Sequence, residues 1–519
     1  MKQITTGYGR AILIGVLALL SVAAYAIAAE TTHEIGFPLD DSWIHQTYAR
    51  NLAEHGEWAF IPGQPSTAST APLYTVLLAA GYAIGVPFFT WTFALGALAL
   101  AGAGWIGARL SEQLFPDISS VGLLTGVTMV LTWHLIWAAA AGMETMLFST
   151  LTLAVIGLAW RESRATPQDR LPQVFGRGML VGLAGAALTL TRPEGMGLVG
   201  LAGLFVLLAW PYGDWRAGWR LYLAWGGGVV AGWLIGVAPY AALNYDLSGE
   251  LLPSTASAKQ AENAPALEMP LLERYGRMLL PLVAGVQLLV VPGMIAALVR
   301  LLRPAEARRR AILFLLPLAW IVLDVSAYAL RLPAAYQHGR YIIPVIPSIL
   351  LYGVGGTAWL VRAGRDTPVK RVLTRSLALA TILLVPVFWV IGARTYAADV
   401  RIINTEMVDT AHWVAGNVPP DELLAVHDIG AVGYYAPRPI LDLAGLVSPE
   451  VVPIIRDHEA LMALMCVQDA RYLMVLPDQR PAHADDPRLE LVFVTNAPYS
   501  PAAGGGNMAI YRLRWPGEC

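Results

Sequence analysis

The sequence predicts an α-helical polytopic membrane protein of about eleven spans, followed by a small C-terminal α/β domain. Three observations carry that reading. Of 519 residues, 56% are hydrophobic and only 14% charged, against about 25% charged in soluble domains. Apolar stretches long enough to span a bilayer recur as far as residue 392. From 393 the texture changes to short β-type runs ("LLAVHD", "RPILDL", "RYLMVL", "LELVFVT", "MAIYRLRW") alternating with helical stretches such as 451–468. The chain therefore divides into 1–392 and 393–519.

The first apolar run, Ala11 to Ala29, follows Lys2 and Arg10. It is long enough to cross about 30 Å of hydrocarbon and reads as an uncleaved span, not a signal peptide. Further spans are expected at about 89–108, 119–138, 143–160, 178–190, 195–210, 220–242, 278–300, 311–330, 341–361 and 376–392. The stretch 71–85, "APLYTVLLAAGYAIG", is apolar but short. If it does not cross, one set of loops holds nineteen Lys and Arg, those of "RLLRPAEARRR" included, and the opposite set seven. The positive-inside rule then makes the N-terminus cytoplasmic. It places the loops 30–70 and 243–277, the turn 331–340 and the tail outside, and leaves 71–85 as an interfacial or re-entrant element. A net charge of −2 argues against nucleic acid as a partner. Cys466 and Cys519 are the only cysteines, too few for a metal pattern; they are available to pair if the tail is extracytoplasmic.

The first outer loop contains "FPLDDSWIHQTYARNLAEHG", residues 37–56. Asp40 is a good N-cap and Gly56 a good helix stop. Between them Ile44, Tyr48 and Leu52 recur every four residues, giving an amphipathic helix on the membrane surface. One aspartate suffices to cap a helix, a contribution of about 1 kcal/mol. The second is the informative one: adjacent carboxylates push one pKa up, which suits a general base, or together hold a divalent cation.

Other ionisable groups fall at the same depth. They are Glu144 in "AAGMETMLF", Arg192 and Glu194 in "LTRPEG", Asp324 in "IVLDVSAYAL", and His338, Arg340 and Tyr341 in "YQHGRYIIPVIP". Singly they read as structural ion pairs; jointly they describe a charged cavity opening outward. Lys259 is one of three lysines and the only one on the outer side, where it reads as a phosphate ligand or a solvated loop residue. His134 reads as core. Tyr434 and Tyr435, in "HDIGAVGYY", read as core of the tail or as a platform for sugar stacking. No phosphate-cradling glycine motif opens a helix after a strand.

"LDDSWIHQTYARNLAEHG" followed by "STAPLYTVLLA", with "GMETMLF", "LTRPEG", "LLPSTASAK" and "GRYIIPVIP", resembles the membrane-embedded GT-C glycosyltransferases. Within them it is most similar to the actinobacterial cell-wall arabinofuranosyltransferases, whose extracytoplasmic domain the stretch 426–450 also resembles. The resemblance implies a GT-C-like fold in a bacterial plasma membrane. It implies inverting transfer of a sugar (arabinofuranose, mannose or similar) from a polyprenyl-phosphate donor to a glycan, lipid or protein acceptor of the cell envelope. Asp40 or Asp41 would be the base. Arg340, with Lys259 and Arg192, would hold the donor phosphate, and Glu144, Glu194, His45 and Tyr341 would position substrate. "METM" offers one acid where the family has an acidic pair, and monophosphate donors generally need no metal, so none is expected. The rival reading is a lipid or solute transporter or flippase. That reading predicts repeat symmetry and charges at the bilayer midplane, neither of which is visible in the sequence.

Overall fold

The structure, a computed structural model, describes residues 2–251, 255–302, 311–483 and 485–517. Three features singled out in the sequence lie outside the described residues: most of the basic loop around 303–310, residues 252–254 of "LLPSTASAK", and Cys519 with its pairing to Cys466.

Among the described residues, seven helical runs are long and apolar enough to cross a membrane: Gly7–Thr32, Phe88–Leu114, Leu171–Thr189, Gly218–Ser248, Ile312–Arg331, Tyr336–Ala363 and Pro368–Asn417. Two bent pairs bring the number to as many as nine: Val121–Leu131 with Trp133–Ala140, bent by 55°, and Leu271–Val283 with Val286–Leu302, bent by 100°. The protein is a multi-pass membrane protein. The expected spans at 143–160 and 195–210 form helices Thr145–Trp160 and Gly195–Ala209, of 16 and 15 residues. At 1.5 Å per residue each reaches about 24 Å at most, short of a full hydrocarbon core. The doubtful stretch 71–85 forms the helix Pro72–Ala83, of 12 residues.

Lipid offers helices no hydrophobic gain from touching, so close packing of small residues must hold them together. Helices Leu171–Thr189 and Trp215–Ser248 pack in this way. A Cβ on Gly178 or Gly182 would lie 2.0 or 2.1 Å from the carbonyl oxygen of Trp225 or Val229. Gly228 and Gly232 answer from the other helix, 2.1 and 2.4 Å from the oxygens of Phe175 and Met179 by the same measure.

In the first loop, strands β1 (Ala59–Ile61) and β2 (Gln64–Pro65) form a small hairpin. The tail contributes β3 (Leu424–Val426), β4 (Ile440–Asp442), β5 (Tyr472–Val475), β6 (Leu489–Val494) and β7 (Ala509–Leu513). They form one five-stranded sheet in the order β4-β3-β5-β7-β6, parallel from β4 to β5 and antiparallel beyond. One face packs on the helix His458–Val467 through Leu461, Met462 and Met465. Apolar residues of the other face share a core with Phe37, Trp43, Tyr48 and Phe60 of the first loop. Buried Glu406, at the end of the last long helix, ties that helix to the sheet. It accepts from the backbone N–H of Met508 at 2.8 Å, from Asn507 Nδ2 at 3.0 Å and from Thr495 Oγ1 at 2.5 Å. The tail and the first loop are therefore one packed unit at one end of the bundle.

Candidate active site

The double aspartate opens the helix Asp41–His55, which Gly56 ends at φ +70°, its N–H bonded to Leu52 O at 3.1 Å. Asp40 occupies the expected N-cap position but makes no side-chain bond to its own helix. Its Oδ2 accepts from Gly430 N–H at 2.7 Å and its Oδ1 from Ala431 N–H at 2.8 Å. Those are the first N–H groups of the tail helix Gly430–Tyr435, so Asp40 caps a helix 390 residues away in the chain. The approach is close: a Cβ on Gly430 would lie 2.0 Å from Asp40 O. Burial, with the nearby Asp428 charge, pushes the Asp40 carboxyl up to about 7, against the pull of its two N–H bonds.

Asp41 points elsewhere. Its Oδ2 accepts from Arg340 Nη2 at 2.5 Å and from Lys259 Nζ at 3.4 Å, and its side chain is 28% exposed. Burial alone would raise this carboxyl, but the Lys259 and Arg340 charges outweigh it and hold the group well below the usual carboxylate range. The Arg340 side chain is 3% exposed. Its Nη2 also donates to Tyr341 OH at 3.0 Å, and the guanidinium lies 4.9 Å over the Tyr341 ring. Arg340 Nε and Nη1 are buried with no hydrogen-bond partner among the described residues.

A second cluster adjoins the first. Glu144 Oε1 accepts from Arg192 Nε at 2.7 Å, and Oε2 lies 3.3 Å from His45 Nε2. All three side chains are buried. Burial opposes the Glu144 charge, but Arg192 and His45 hold its carboxyl well below the usual range. Arg192 Nη1 lies 3.7 Å from Glu194 Oε1, which also accepts from Tyr328 OH. Glu144, Arg192, Glu194, Lys259, Arg340 and Tyr341 all line one cavity of about 450 Å³, with Met143 and Leu332 among its apolar walls.

Residues 389–511, essentially the tail, match the model of a domain of unknown function, DUF8728. No curated protein matches this chain. Among solved structures, ArnT from Cupriavidus metallidurans bound to undecaprenyl phosphate aligns over 96% of this chain and 97% of its own, with a TM-score of 0.57 at 15% identity. The same protein in the apo state aligns over 98% of both, with a TM-score of 0.58 at 16% identity. Archaeoglobus fulgidus AglB, an oligosaccharyltransferase in complex with an inhibitory peptide and a dolichol-phosphate, covers 89% of this chain and 69% of its own. Its TM-score is 0.55 at 11% identity. The fold is GT-C.

On this GT-C scaffold the residues picked out by sequence separate. Asp41, Arg340, Lys259 and Tyr341 come together, with Glu144, Arg192, Glu194 and His45 beside them. Asp40 is turned away into the tail. Tyr434 and Tyr435 do not form a sugar platform. They pack with Trp43, at 5.1 and 4.8 Å between ring centroids, and Phe88 packs on Tyr434. His134 is buried and hydrogen-bonded to Gln287 at 3.0 Å. Tyr328 and Thr255 are among the cavity residues that escaped sequence reasoning. Both stand four residues from a charged residue already singled out, Asp324 and Lys259, which is the helical spacing that puts side chains on one face.

Proposed function

We propose that this protein is an inverting membrane glycosyltransferase with Asp41 as general base. The donor is a sugar on a polyprenyl phosphate, and Arg340 and Lys259 hold its phosphate. One observation carries the reading: a buried guanidinium that lines the cavity has two nitrogens without a hydrogen-bond partner among the described residues and stands 2.5 Å from the Asp41 carboxylate. Buried donors are nearly always satisfied, and a phosphate satisfies a guanidinium well. The lipid phosphates in the ArnT and AglB structures support the same class of carrier here.

In the proposed reaction the acceptor hydroxyl oxygen bonds to the anomeric carbon on the face opposite the phosphate. The bond from that carbon to the phosphate oxygen breaks, and the acceptor proton passes to Asp41. Polyprenyl phosphate leaves with one more negative charge, stabilised by Arg340 and Lys259. While both cations rest on Asp41, that carboxylate is a weak base. A donor phosphate competes for the same N–H groups and so restores basicity, which makes donor binding the first step. Arg192, Glu144, Glu194, His45 and Tyr341 shape the sugar subsite. Two fixed cations supply the charge stabilisation, so the mechanism invokes no metal. In this reading the chain sits in a bacterial plasma membrane with a cytoplasmic N-terminus, and residues 393–519 form an extracytoplasmic domain beside the transmembrane domain 1–392. The sugar is arabinofuranose, mannose or similar, and the acceptor belongs to the cell envelope.

The test is sugar transfer in proteoliposomes, with a panel of polyprenyl-phosphate sugars, for the parent, Asp41→Asn and Asp40→Asn. Asp41→Asn should be slower by about 1,000-fold, the scale of a lost general base. Asp40→Asn should keep the activity of its folded fraction. The reverse result moves the base to Asp40, and full activity in both variants sinks the mechanism.

A further inference from the structure

Arg340 follows a backbone turn that a chain of L-residues adopts reluctantly. Gln337 (φ 54°, ψ 51°), His338 (φ 57°, ψ 24°) and Gly339 (φ 70°) are three consecutive left-handed residues, and two of them carry side chains. Each non-glycine residue in that region is strained and persists only where its surroundings over-determine it. The surroundings here come from three other helices. His338 Nε2 donates to Asp399 Oδ2 at 2.8 Å, and Trp137 Nε1 donates to the same oxygen at 2.8 Å. The His338 ring sits edge-on to Trp133 and Trp137, with centroids 5.5 and 5.3 Å apart. Pro281 closes the remaining side: a Cβ on Gly339 would lie 2.6 Å from the Pro281 ring.

This hold matters because of what Arg340 lacks. Both of its side-chain hydrogen bonds leave from one atom, Nη2. They leave the aim of Nε and Nη1 to the backbone that presents them. We propose that the His338–Asp399 pair, braced by Trp133 and Trp137, is a positioning device that fixes the left-handed turn and so aims Arg340 at the donor phosphate. This rests on the phosphate-binding reading of Arg340 given above. Neither residue touches substrate; both act through the turn. Because both bonds converge on one oxygen, the device needs an acceptor at that place and not a charge.

The test is binding of undecaprenyl phosphate in detergent micelles, read by tryptophan fluorescence, with a melting curve for each variant. His338→Asn tolerates the left-handed backbone but cannot reach Asp399. It should bind about tenfold more weakly than the parent, as should Asp399→Leu. Asp399→Asn keeps an oxygen for both donors and should stay within about twofold of the parent. Parent-like binding by His338→Asn and Asp399→Leu overturns the proposal. So does a loss shared equally by Asp399→Asn and matched by lower melting temperatures, which makes the pair merely structural. Arg340→Ala separates this from the functional reading. If the parent binds, Arg340→Ala does not, and His338→Asn binds normally, only the positioning role fails. If Arg340→Ala binds as well as the parent, or the parent does not bind, both fail together.

Discussion

The helices Thr145–Trp160 and Leu171–Thr189 carry an arginine–carboxylate cluster at each of their two ends. At the end away from the tail, Glu162 is completely buried and both its oxygens are used. Arg177 donates to them from Nε at 2.7 Å and from Nη2 at 3.1 Å, and Tyr212 OH adds a bond of 2.8 Å. Arg177 also reaches Asp169 at 2.7 Å, which in turn accepts from Thr166. At the tail end, Glu144 and Arg192 form the same kind of pair, but Arg192 Nη1 and, next to it, Arg340 Nε and Nη1 have no hydrogen-bond partner among the described residues. A buried polar network that satisfies every member adds rigidity, whereas a half-satisfied one costs the free protein stability. The closed cluster is therefore a fastening. The open one leaves buried N–H groups that the phosphate of the proposed donor would satisfy.

That contrast can be broken by experiment. After Asp41→Asn, the largest effect expected is on transfer by Arg340→Met, a loss of about 100-fold or more, the scale of a removed charge-stabilising donor. Its melting temperature should fall less than that of Glu162→Gln, because Nε and Nη1 had no acceptor and Asp41 keeps Lys259 when Arg340 Nη2 is removed. An equal loss of stability would make the tail-end cluster a second fastening. Glu162→Gln should do the reverse. Breaking a buried ion pair costs about 3 kcal/mol, seen as a lower melting temperature, while transfer per folded molecule stays within about twofold.

The smallest effect concerns the link between the two halves of the outer unit. Helix Thr255–Glu262 puts Lys259 on Asp41 and brings Glu262 to 3.5 Å from His427 Nε2 of the tail. Burial disfavours the charged ring, but the nearby Asp428 carboxylate, 3.6 Å from Nδ1, with Glu262, pushes His427 up to about 9. A histidine raised in this way stabilises the folded state fully below its unfolded pKa of about 6.5 and loses that contribution as pH rises through 9. Glu262 is partly exposed, so Glu262→Gln should lower the melting temperature by only about 1–2 °C at pH 7. The difference from the parent should vanish above pH 9. A difference that persists there sinks this assignment.

The parts of the molecule legible in the sequence are those set by local pattern. The helix Asp41–His55, its stop at Gly56 and the short helix Pro72–Ala83 all take their form from neighbours in the chain, although Ser42, Gln46 and Thr47 are buried where a surface helix would show its polar side. So does the gathering of ionisable residues at one depth, because charges in a helical bundle cluster where water reaches. What stayed hidden depends on distant partners. Asp40 has every local mark of a cap, and only the arrival of Gly430 shows that it caps another helix. The 55° kink arises at Thr132 with no proline to announce it, whereas the 100° break near Ala284 has Pro281 in the turn before it. Tyr434 and Tyr435 read from their own segment as core or as a stacking platform, and the arrival of Trp43, with Phe88 on Tyr434, shows that they pack inward.

The bond from Asp40 to the tail has a consequence for how the protein is made. A ribosome delivers Asp40 and Asp41 early, and nearly four hundred residues must follow before Gly430 and Ala431 exist to receive the first of them. Until then the loop holding Asp41 has no second anchor, and the aromatic floor beneath it lacks Tyr434 and Tyr435. The site is thus closed by the chain's late arrival at its own beginning. A nascent chain halted in the membrane before that point holds Asp41, Arg192 and Lys259 but lacks the contact that anchors the first loop.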